Sequence, residues 1–303
     1  MLGYLAIGAL TAATAYYWQE RHAQRPQQLK PSDERVVIVG CTSGIGRETA
    51  LLYARRHAKL MLFARRQELL ESLKKETEAL GAQAHFVCGD ATSAEDVKKL
   101  SQSTIDNLQG VDTLIICAGA ISVQPFLDLC GGVDGQAKRD PMDAVRRITE
   151  INYYAPIQLT QAFLPKLIQS SEYPNIMVVS SLAGKTGAPT RSLYAGSKHA
   201  VHGFFDSLRV EVTKYNVHIG IICPGTVDTD LRQSAVDLDS SSAVTGSTKG
   251  KLSPKTVAQV IIEASDRRQR EVLLPYLMGL GAIWGKLLAP GIVDRFASKK
   301  YGF

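Results

Sequence analysis

The sequence predicts a doubly wound parallel β-sheet with helices on both faces, built as a single α/β domain. From Arg35 onward, apolar runs of strand length alternate with amphipathic segments of helix length. The apolar runs are unbroken, as is typical of parallel strands that are covered on both faces. The predicted strands are Val36–Val39, Lys59–Phe63, Ala84–Cys88, Thr113–Ile116, Ile176–Ser180, Val217–Cys223 and Val272–Leu274.

The segments between these strands predict the covering helices, among them Gln67–Leu80, Ala94–Leu108 and Met142–Gln169. Two polar stretches, Gly131–Pro141 and Ser240–Lys251, predict loops. The folded domain is therefore expected over residues 35–274. An apolar segment over residues 275–303 follows it, and we expect that segment either to cover a substrate site or to touch a membrane.

The composition is that of an ordinary globular protein, with 45% hydrophobic and 21% charged residues in a chain of 303. The net charge is +6, but the basic residues are scattered and form no stripe interleaved with aromatic side chains. We therefore predict no nucleic-acid partner. The five cysteines show no CxxC spacing, so they indicate buried thiols in a reducing compartment rather than a zinc site.

The N-terminal segment Leu2–Trp18 contains no charged residue and ends in three aromatic residues. It is just long enough to cross a bilayer, and basic residues follow it. We predict a membrane anchor over residues 1–19, a linker over 20–34, and a single-pass protein of the endoplasmic reticulum with its folded domain in the cytosol. A cleaved signal peptide and a helix packed on a soluble domain are the alternatives.

A glycine-rich turn follows the first predicted strand and leads into a helix. Glycines at such a turn let the backbone approach a pyrophosphate at the helix N-terminus. The spacing G-x-x-x-G-x-G is less specific than G-x-G-x-x-G, so the turn alone leaves nucleotide binding open. Its candidate cofactor residues are Gly40, Thr42, Ser43, Gly44, Ile45 and Gly46.

Arg65 and Arg66 end the second predicted strand, where a site for NAD often carries an acidic residue. Two arginines suit a ribose 2′-phosphate instead, so we predict NADP(H) as the cofactor. The alternative cofactor is NAD(H), in which case both arginines are simply the solvated start of a helix.

Two further strand ends carry candidate cofactor residues. Asp90 follows the third strand and is placed either to accept a hydrogen bond from the adenine amino group or to cap the next helix. Ala118 and Gly119 follow the fourth strand, and their small size lets a cofactor lie against the backbone.

Tyr194 and Lys198 lie four residues apart on a predicted helix, and therefore on one face of it. A lysine in that position can stabilise a phenolate and lower the pKa of the tyrosine. Ser181 stands at the carboxyl end of the fifth strand, the edge at which ligands bind in such sheets.

With these residues in order, the chain resembles the classical short-chain dehydrogenases/reductases over about residues 35–274, most closely the hydroxysteroid-dehydrogenase and membrane-associated branches. The resemblance implies a Rossmann-type sheet. It also implies that Tyr194 is the general acid/base, that Lys198 supports it and holds the cofactor ribose, and that Ser181 holds the substrate oxygen. Asn152 matches the asparagine that keeps a proton-relay water in place.

The resemblance also places the segment Pro224, Gly225, Val227 and Thr229 against the nicotinamide carboxamide. Two departures from the family pattern are Val39 for a threonine and Ile116-Cys117 for paired asparagines. The latter is expected to loosen support of the central strand.

The implied activity is interconversion of a carbonyl and a hydroxyl on a hydrophobic substrate, with NADP(H) and no metal. The rival interpretations are a non-catalytic NADPH sensor or scaffold and an NAD-linked lipid-alcohol dehydrogenase. A homodimer is implied by the family, and membrane contact by the N-terminal helix.

His199 and His202 have a spacing that suits a metal, but the sequence shows no third ligand nearby. Cys41 in the glycine turn is expected to be an inert buried thiol.

Overall fold

Seven parallel strands form one sheet in the order β3-β2-β1-β4-β5-β6-β7. The computed structural model describes residues 25–137, 140–232, 235–238 and 250–303. The strand order reverses between β1 and β4, where the carboxyl ends of the strands open a crevice. The predicted doubly wound sheet is confirmed. Its strands are β1 (Arg35–Val39), β2 (Lys59–Ala64), β3 (Gln83–Cys88), β4 (Thr113–Ile116), β5 (Asn175–Val179), β6 (His218–Pro224) and β7 (Glu271–Leu274).

Helices cover both faces of the sheet. A π-helical turn, Glu150–Tyr154, lies inside the segment that the sequence predicts as one helix. In the described chain the α-helices are α1 (Gly44–Arg55), α2 (Gln67–Ala79), α3 (Ala94–Leu108), α4 (Phe126–Leu129), α5 (Pro141–Thr149), α6 (Ala155–Ser170), α7 (Ser192–Glu211), α8 (Pro254–Asp266), α9 (Tyr276–Leu288) and α10 (Pro290–Tyr301).

The core consists of two apolar layers, one on each face of the sheet. Val37 and Val39 of β1 point into the layer that holds Phe163 and Phe205. The alternate residues of β1 point into the opposite layer with Tyr53. Both layers are buried, which explains why the strands carry apolar residues on both of their faces.

The chain enters the domain at the amino ends of the strands, opposite the crevice. Arg25 is only 3% exposed and pairs with Glu34 at 2.5 Å. It also donates to Thr113 Oγ1 at 3.0 Å, and that hydroxyl donates to Glu34 Oε1 at 2.6 Å. From Arg25 onward, the predicted linker is therefore docked on the domain through Thr113, to which both members of the buried Arg25–Glu34 pair are hydrogen-bonded.

The predicted anchor over residues 1–19 and the first part of the linker lie outside the described residues, as does most of the predicted loop Ser240–Lys251. Among the helices that are described, none combines the length and the apolar character needed to cross a bilayer.

Candidate active site

The glycine turn after β1 is too tight for side chains at two positions. Gly40 has a φ of 81°, and a β-carbon there would lie 2.7 Å from the amide nitrogen of Ala118. A β-carbon at Gly46 would collide with the carbonyl oxygen of Gly40. In the described structure, Ser43 begins α1 without a side-chain cap, so the first amide groups of this helix are left for an anionic ligand.

A cleft of about 550 Å³ opens between this turn and the carboxyl ends of β2, β3 and β4. Most residues predicted to bind the cofactor line it, whereas Tyr194, Lys198, Pro224, Gly225 and Val227 do not belong to its lining. The predicted residues that line the cleft are Gly40, Thr42, Ser43, Gly44, Ile45, Gly46, Arg65, Arg66, Asp90, Ala118, Gly119 and Thr229.

Several lining residues were missed by the sequence analysis. Gly89 stands directly after strand β3, and this position is a signal that could have found it. Arg147 and Val236 also line the cleft, and Arg147 donates to the Val236 carbonyl oxygen at 3.5 Å. These two are brought to the cleft by tertiary contacts for which no local sequence pattern exists.

Arg66 bridges the hydroxyl groups of the glycine turn. Its Nη2 donates to Thr42 Oγ1 at 2.9 Å and to Ser43 Oγ at 3.0 Å. The Arg65 side chain is 73% exposed and lies 3.8 Å from a carboxylate oxygen of Asp90. The β2 end of the cleft therefore presents a guanidinium group and two hydroxyl groups, a donor set that suits a phosphate.

Asp90 is not a helix cap, so that alternative is wrong. The N-cap of α3 is Ser93, whose Oγ accepts from the amide of Asp96 at 3.2 Å. Asp90 Oδ1 instead accepts from the amide and the hydroxyl of Thr92, each at 2.9 Å. Its carboxylate is thus fixed at the cleft wall.

Tyr194 is buried near the N-terminus of α7, beside Ser181. Burial raises the pKa of its phenol, and the hydrogen bond with Ser181 and the charge of Arg191 offset part of that rise. Ser181 follows β5 and begins a short 3-10 turn, where its Oγ accepts from the amide of Ala183 at 3.1 Å. The two hydroxyl groups therefore converge at the carboxyl edge of the sheet.

Lys198 lies one helical turn after Tyr194, with its Nζ 5.9 Å from the centroid of the tyrosine ring. The Nζ donates to the carbonyl oxygen of Val179 at 3.0 Å. Burial lowers the pKa of this ammonium group to about 8. A β-carbon at Gly119 would lie 3.6 Å from the Nζ, so the lysine also reaches the cleft wall.

Asn152 lies in the π turn and is fully buried. Its Oδ1 accepts from the amide of Ala120 at 2.8 Å, and its Nδ2 donates to the carbonyl oxygen of Ala120 at 2.9 Å. The Nδ2 also donates to Ser197 Oγ on α7 at 2.9 Å. Asn152 thus joins the end of β4 to the helix that carries Tyr194 and Lys198.

The sequence profile of the family described as short chain dehydrogenase matches residues 34–239. The chain belongs to this family. Its short-chain dehydrogenase relatives include the dehydrogenase/reductase SDR family member 7B of Bos taurus, 34% identical over 88% of this chain and 80% of that one. The hydroxysteroid 11-beta-dehydrogenase 1-like protein of Gallus gallus is 32% identical over 96% of this chain and 94% of its own.

The fold is also that of a solved alcohol dehydrogenase from the archaeon Thermococcus sibiricus, determined in complex with 5-hydroxy-NADP. The TM-score is 0.66 at 22% identity, covering 79% of this chain and 95% of that structure. As a short-chain dehydrogenase, the chain is an oxidoreductase that takes a nicotinamide cofactor and a small-molecule substrate. The glycine turn fits that cofactor, because Gly46 leaves room for a close ligand where a side chain would collide.

The departures from the short-chain dehydrogenase pattern fall at the carboxyl ends of the neighbouring strands β1 and β4. Ile116 is buried in the core, and the amide of Cys117 donates to the Val39 carbonyl oxygen at 2.9 Å. Backbone pairing and Asn152 therefore both support the strand end where the family has asparagines. Burial raises the pKa of the Cys41 and Cys117 thiols to about 12, which agrees with an inert Cys41.

The two histidines of α7 take different partners. His199 Nδ1 contacts the Ala195 carbonyl oxygen at 2.8 Å, whereas His202 Nε2 contacts Ser180 Oγ at 3.1 Å. Cys223 and Glu271 come within 4.8 Å of His202, which the sequence analysis did not foresee. The Glu271 carboxylate forms an ion pair with Lys185 at 2.5 Å, whereas burial lowers the pKa of His202 to about 3 and keeps its imidazole neutral.

Proposed function

We propose that the chain is an NADP(H)-dependent oxidoreductase that interconverts a carbonyl and a hydroxyl group on a hydrophobic substrate such as a steroid, retinoid, sphingoid base or acyl-lipid precursor. The observation that carries this proposal is the convergence of Ser181, Tyr194 and Lys198 beside the cleft at the carboxyl edge of the sheet. This set combines a proton donor, a second hydroxyl and a cation.

The choice of NADP(H) over NAD(H) rests on the cationic end of the cleft. Arg66 and the hydroxyls of Thr42 and Ser43 would hold the ribose 2′-phosphate, and Arg65 would add charge from the rim. A carboxylate beside Arg66 would repel the 2′-phosphate. The Asp90 carboxylate lies beside Arg65 instead, where we propose that it faces the adenine.

The chemistry divides between the cofactor, which when bound supplies or accepts hydride, and the side chains that handle the proton. In reduction, Tyr194 donates its phenolic proton to the substrate oxygen while Ser181 donates a hydrogen bond to the same atom. The raised pKa of Tyr194 keeps the phenol protonated, the form that this step needs. The Lys198 ammonium then stabilises the phenolate that is left.

Asn152 acts in this proposal as a positioning residue. Its side-chain groups are engaged by Ala120 and Ser197, so it holds the β4 end and α7 at a set distance. The family resemblance implies that Asn152 also keeps a proton-relay water in place. That role would depend on the same contacts with Ala120 and Ser197.

The substrate is proposed to be hydrophobic because Tyr194 lies in an apolar cluster. Ile121, Ile148 and Val236 are buried in that cluster, and Leu193 and Leu231 pack against it. A small polar substrate would gain nothing from the partly exposed Leu193 and Leu231, whereas an acyl or ring system would bury surface against them.

Membrane attachment and dimer formation are further parts of the proposal. The first rests on the apolar segment Leu2–Trp18 and the second on family resemblance. Alkaline extraction of cell membranes and protease accessibility of the folded domain test the anchor and its orientation. Crosslinking of the full chain in detergent tests the dimer.

The deciding experiment measures turnover of lipid ketones by the full chain in detergent, with NADPH and NADH in parallel. We expect NADPH-dependent reduction that Tyr194→Phe abolishes and that Tyr154→Phe, at a 56% exposed side chain, leaves unchanged. Tight NADPH binding without turnover of any lipid ketone would favour the sensor or scaffold function. A preference for NADH would refute the role given to Arg66.

A further inference from the structure

Exposed apolar side chains are concentrated in the two C-terminal helices of the described chain. Nine of the seventeen exposed large apolar side chains lie within residues 276–303, so the exposure is concentrated rather than scattered. These nine are Tyr276, Leu277, Met278, Trp284, Leu287, Leu288, Ile292, Phe296 and Phe303.

In α9 the exposed residues follow helical spacing. Leu277, Trp284 and Leu288 are separated by seven and four residues, so they share one face of the helix. Leu277 is 80% and Trp284 52% exposed, whereas Gly279 is buried and Ile283 packs against the core. The helix therefore has one face on the domain and a second apolar face turned outward.

In α10 the exposed apolar residues alternate with cations. Ile292 and Phe296 lie four residues apart on one face, and Arg295 and Lys299 are exposed beside them. The two helices pack closely, because a β-carbon at Gly285 of α9 would lie 3.0 Å from Val293 Cγ2 of α10. They form one unit, which we call the C-terminal hairpin (residues 276–303).

We infer that the C-terminal hairpin docks onto the surface of an anionic lipid bilayer. Both helices, of 13 and 12 residues, are too short to span a membrane but suit a position in its interface. Tryptophan, phenylalanine and leucine on an exposed face with flanking lysine and arginine are the composition of such interfacial helices.

Charge favours a lipid surface over a second copy of the chain. The hairpin carries Lys286, Arg295, Lys299 and Lys300 against the single acid Asp294. A two-fold symmetric contact would bring this excess of positive charge against itself, whereas anionic headgroups complement it.

The hairpin adjoins the proposed substrate site. A β-carbon at Gly279 would lie 2.8 Å from Leu182 Cδ2, and Leu182 directly follows Ser181. Met278 reaches to within 3.3 Å of the β-carbon position of Gly225. A docked hairpin would therefore hold the substrate side of the domain against the lipid, although the docking itself does not depend on the proposed chemistry.

Tryptophan fluorescence tests this inference directly, because the chain has only Trp18 and Trp284. The full-length Trp18→Phe variant leaves Trp284 as the reporter. It is reconstituted into vesicles of phosphatidylcholine and phosphatidylserine, with and without brominated acyl chains. We expect strong quenching of Trp284 by brominated lipid and weak quenching by aqueous acrylamide.

A matched control places the reporter elsewhere on the surface. In Trp18→Phe/Trp284→Phe/Tyr215→Trp the reporter replaces an exposed tyrosine that precedes β6. This reporter should be quenched by acrylamide and not by brominated lipid. Lys286→Glu/Arg295→Glu/Lys299→Glu, introduced with Trp18→Phe, should reduce lipid quenching of Trp284 by half or more.

Two outcomes would overturn the inference. One is Trp284 quenched by acrylamide as strongly as the control and untouched by brominated lipid. The other is protection of Trp284 that depends on protein concentration and not on lipid, which would make a second copy of the chain the occupant. Neither readout requires turnover, so failure of the proposed reductase activity would not imitate either result.

Discussion

The side chain of Asn152 binds both backbone groups of Ala120, accepting from its amide at 2.8 Å and donating to its carbonyl at 2.9 Å. Asn152→Ala would leave these buried groups unpaired, so we expect it to lower the free energy of unfolding by about 2–4 kcal/mol. Turnover should fall as well, since the β4 end would no longer be held to α7. Chemical denaturation and kcat measure the two effects.

The control for Asn152 is Asn107→Ala, an asparagine on an exposed helix surface whose side chain donates to the Ser103 carbonyl. It should change stability by less than about 0.5 kcal/mol. Equal stability of both variants would show that the Ala120 contacts carry little energy.

Reductive turnover should decline as the pH rises through about 8. Burial lowers the pKa of Lys198 to about 8, so the ammonium loses its proton there and can no longer stabilise the Tyr194 phenolate. In Lys198→Arg the cation persists, so this alkaline limb of kcat/KM should disappear even where the rate is lower. An unchanged alkaline limb in Lys198→Arg would assign it to another group.

The same pKa has the opposite consequence for stability. Because the folded value lies below the value of 10.5 for a free lysine, the unfolded chain binds the Lys198 proton more tightly between about pH 8 and 10.5. Relative to Lys198→Met, the wild-type chain should therefore become more stable across that window while its activity falls. Parallel denaturation of both proteins at several pH values separates loss of activity from unfolding.

Arg66→Ala should weaken NADPH binding by about 10- to 100-fold, the effect of a lost charge-assisted hydrogen bond. NADH binding should change little, because NADH has no 2′-phosphate. Calorimetric titration of both cofactors gives the comparison. Arg47→Ala is the matched control, since Arg47 lies in the first turn of α1 but pairs with Glu76 outside the cleft. Equal losses for both cofactors in Arg66→Ala would point to a structural role.

Gly46→Ala should impair the binding of both NADPH and NADH and destabilise the fold by about 1–3 kcal/mol. Its β-carbon would collide with the Gly40 carbonyl oxygen, so the turn would have to open. Gly203→Ala is the control, because that helical position faces open space and alanine favours the helix by about 0.5–1 kcal/mol. Thermal unfolding and cofactor titration of both variants decide the matter.

The sequence was sufficient for features that short patterns encode. The strands lie within one residue of their predicted bounds, because buried parallel strands are marked in the sequence by apolar runs. The glycine turn and the spacing of Tyr194 and Lys198 are likewise local patterns, and the structure brings them to one edge of the sheet.

Features that depend on residues distant in the chain could not be predicted from the sequence. Arg25 is polar and lies in a stretch that resembles a linker, yet it is buried because Glu34 and Thr113 supply its hydrogen bonds. Arg147 reaches the cleft only because the segment around Val236 folds over it, a contact between residues 89 positions apart. The N-cap of α3 is Ser93, three residues after Asp90. Both residue types are good N-caps, so the sequence alone does not decide between them.

The π turn at Glu150–Tyr154 changes how this part of the chain must be aligned and read. One added residue in a helix turns everything after it by about 100°. The wider π turn takes up such a residue without rotating the helix that follows, so that Leu159 and Phe163 face the core. An alignment that closes this turn as a gap would set α6 one residue out of step and assign its buried face to solvent. The number of residues here, and not only their identity, specifies the fold.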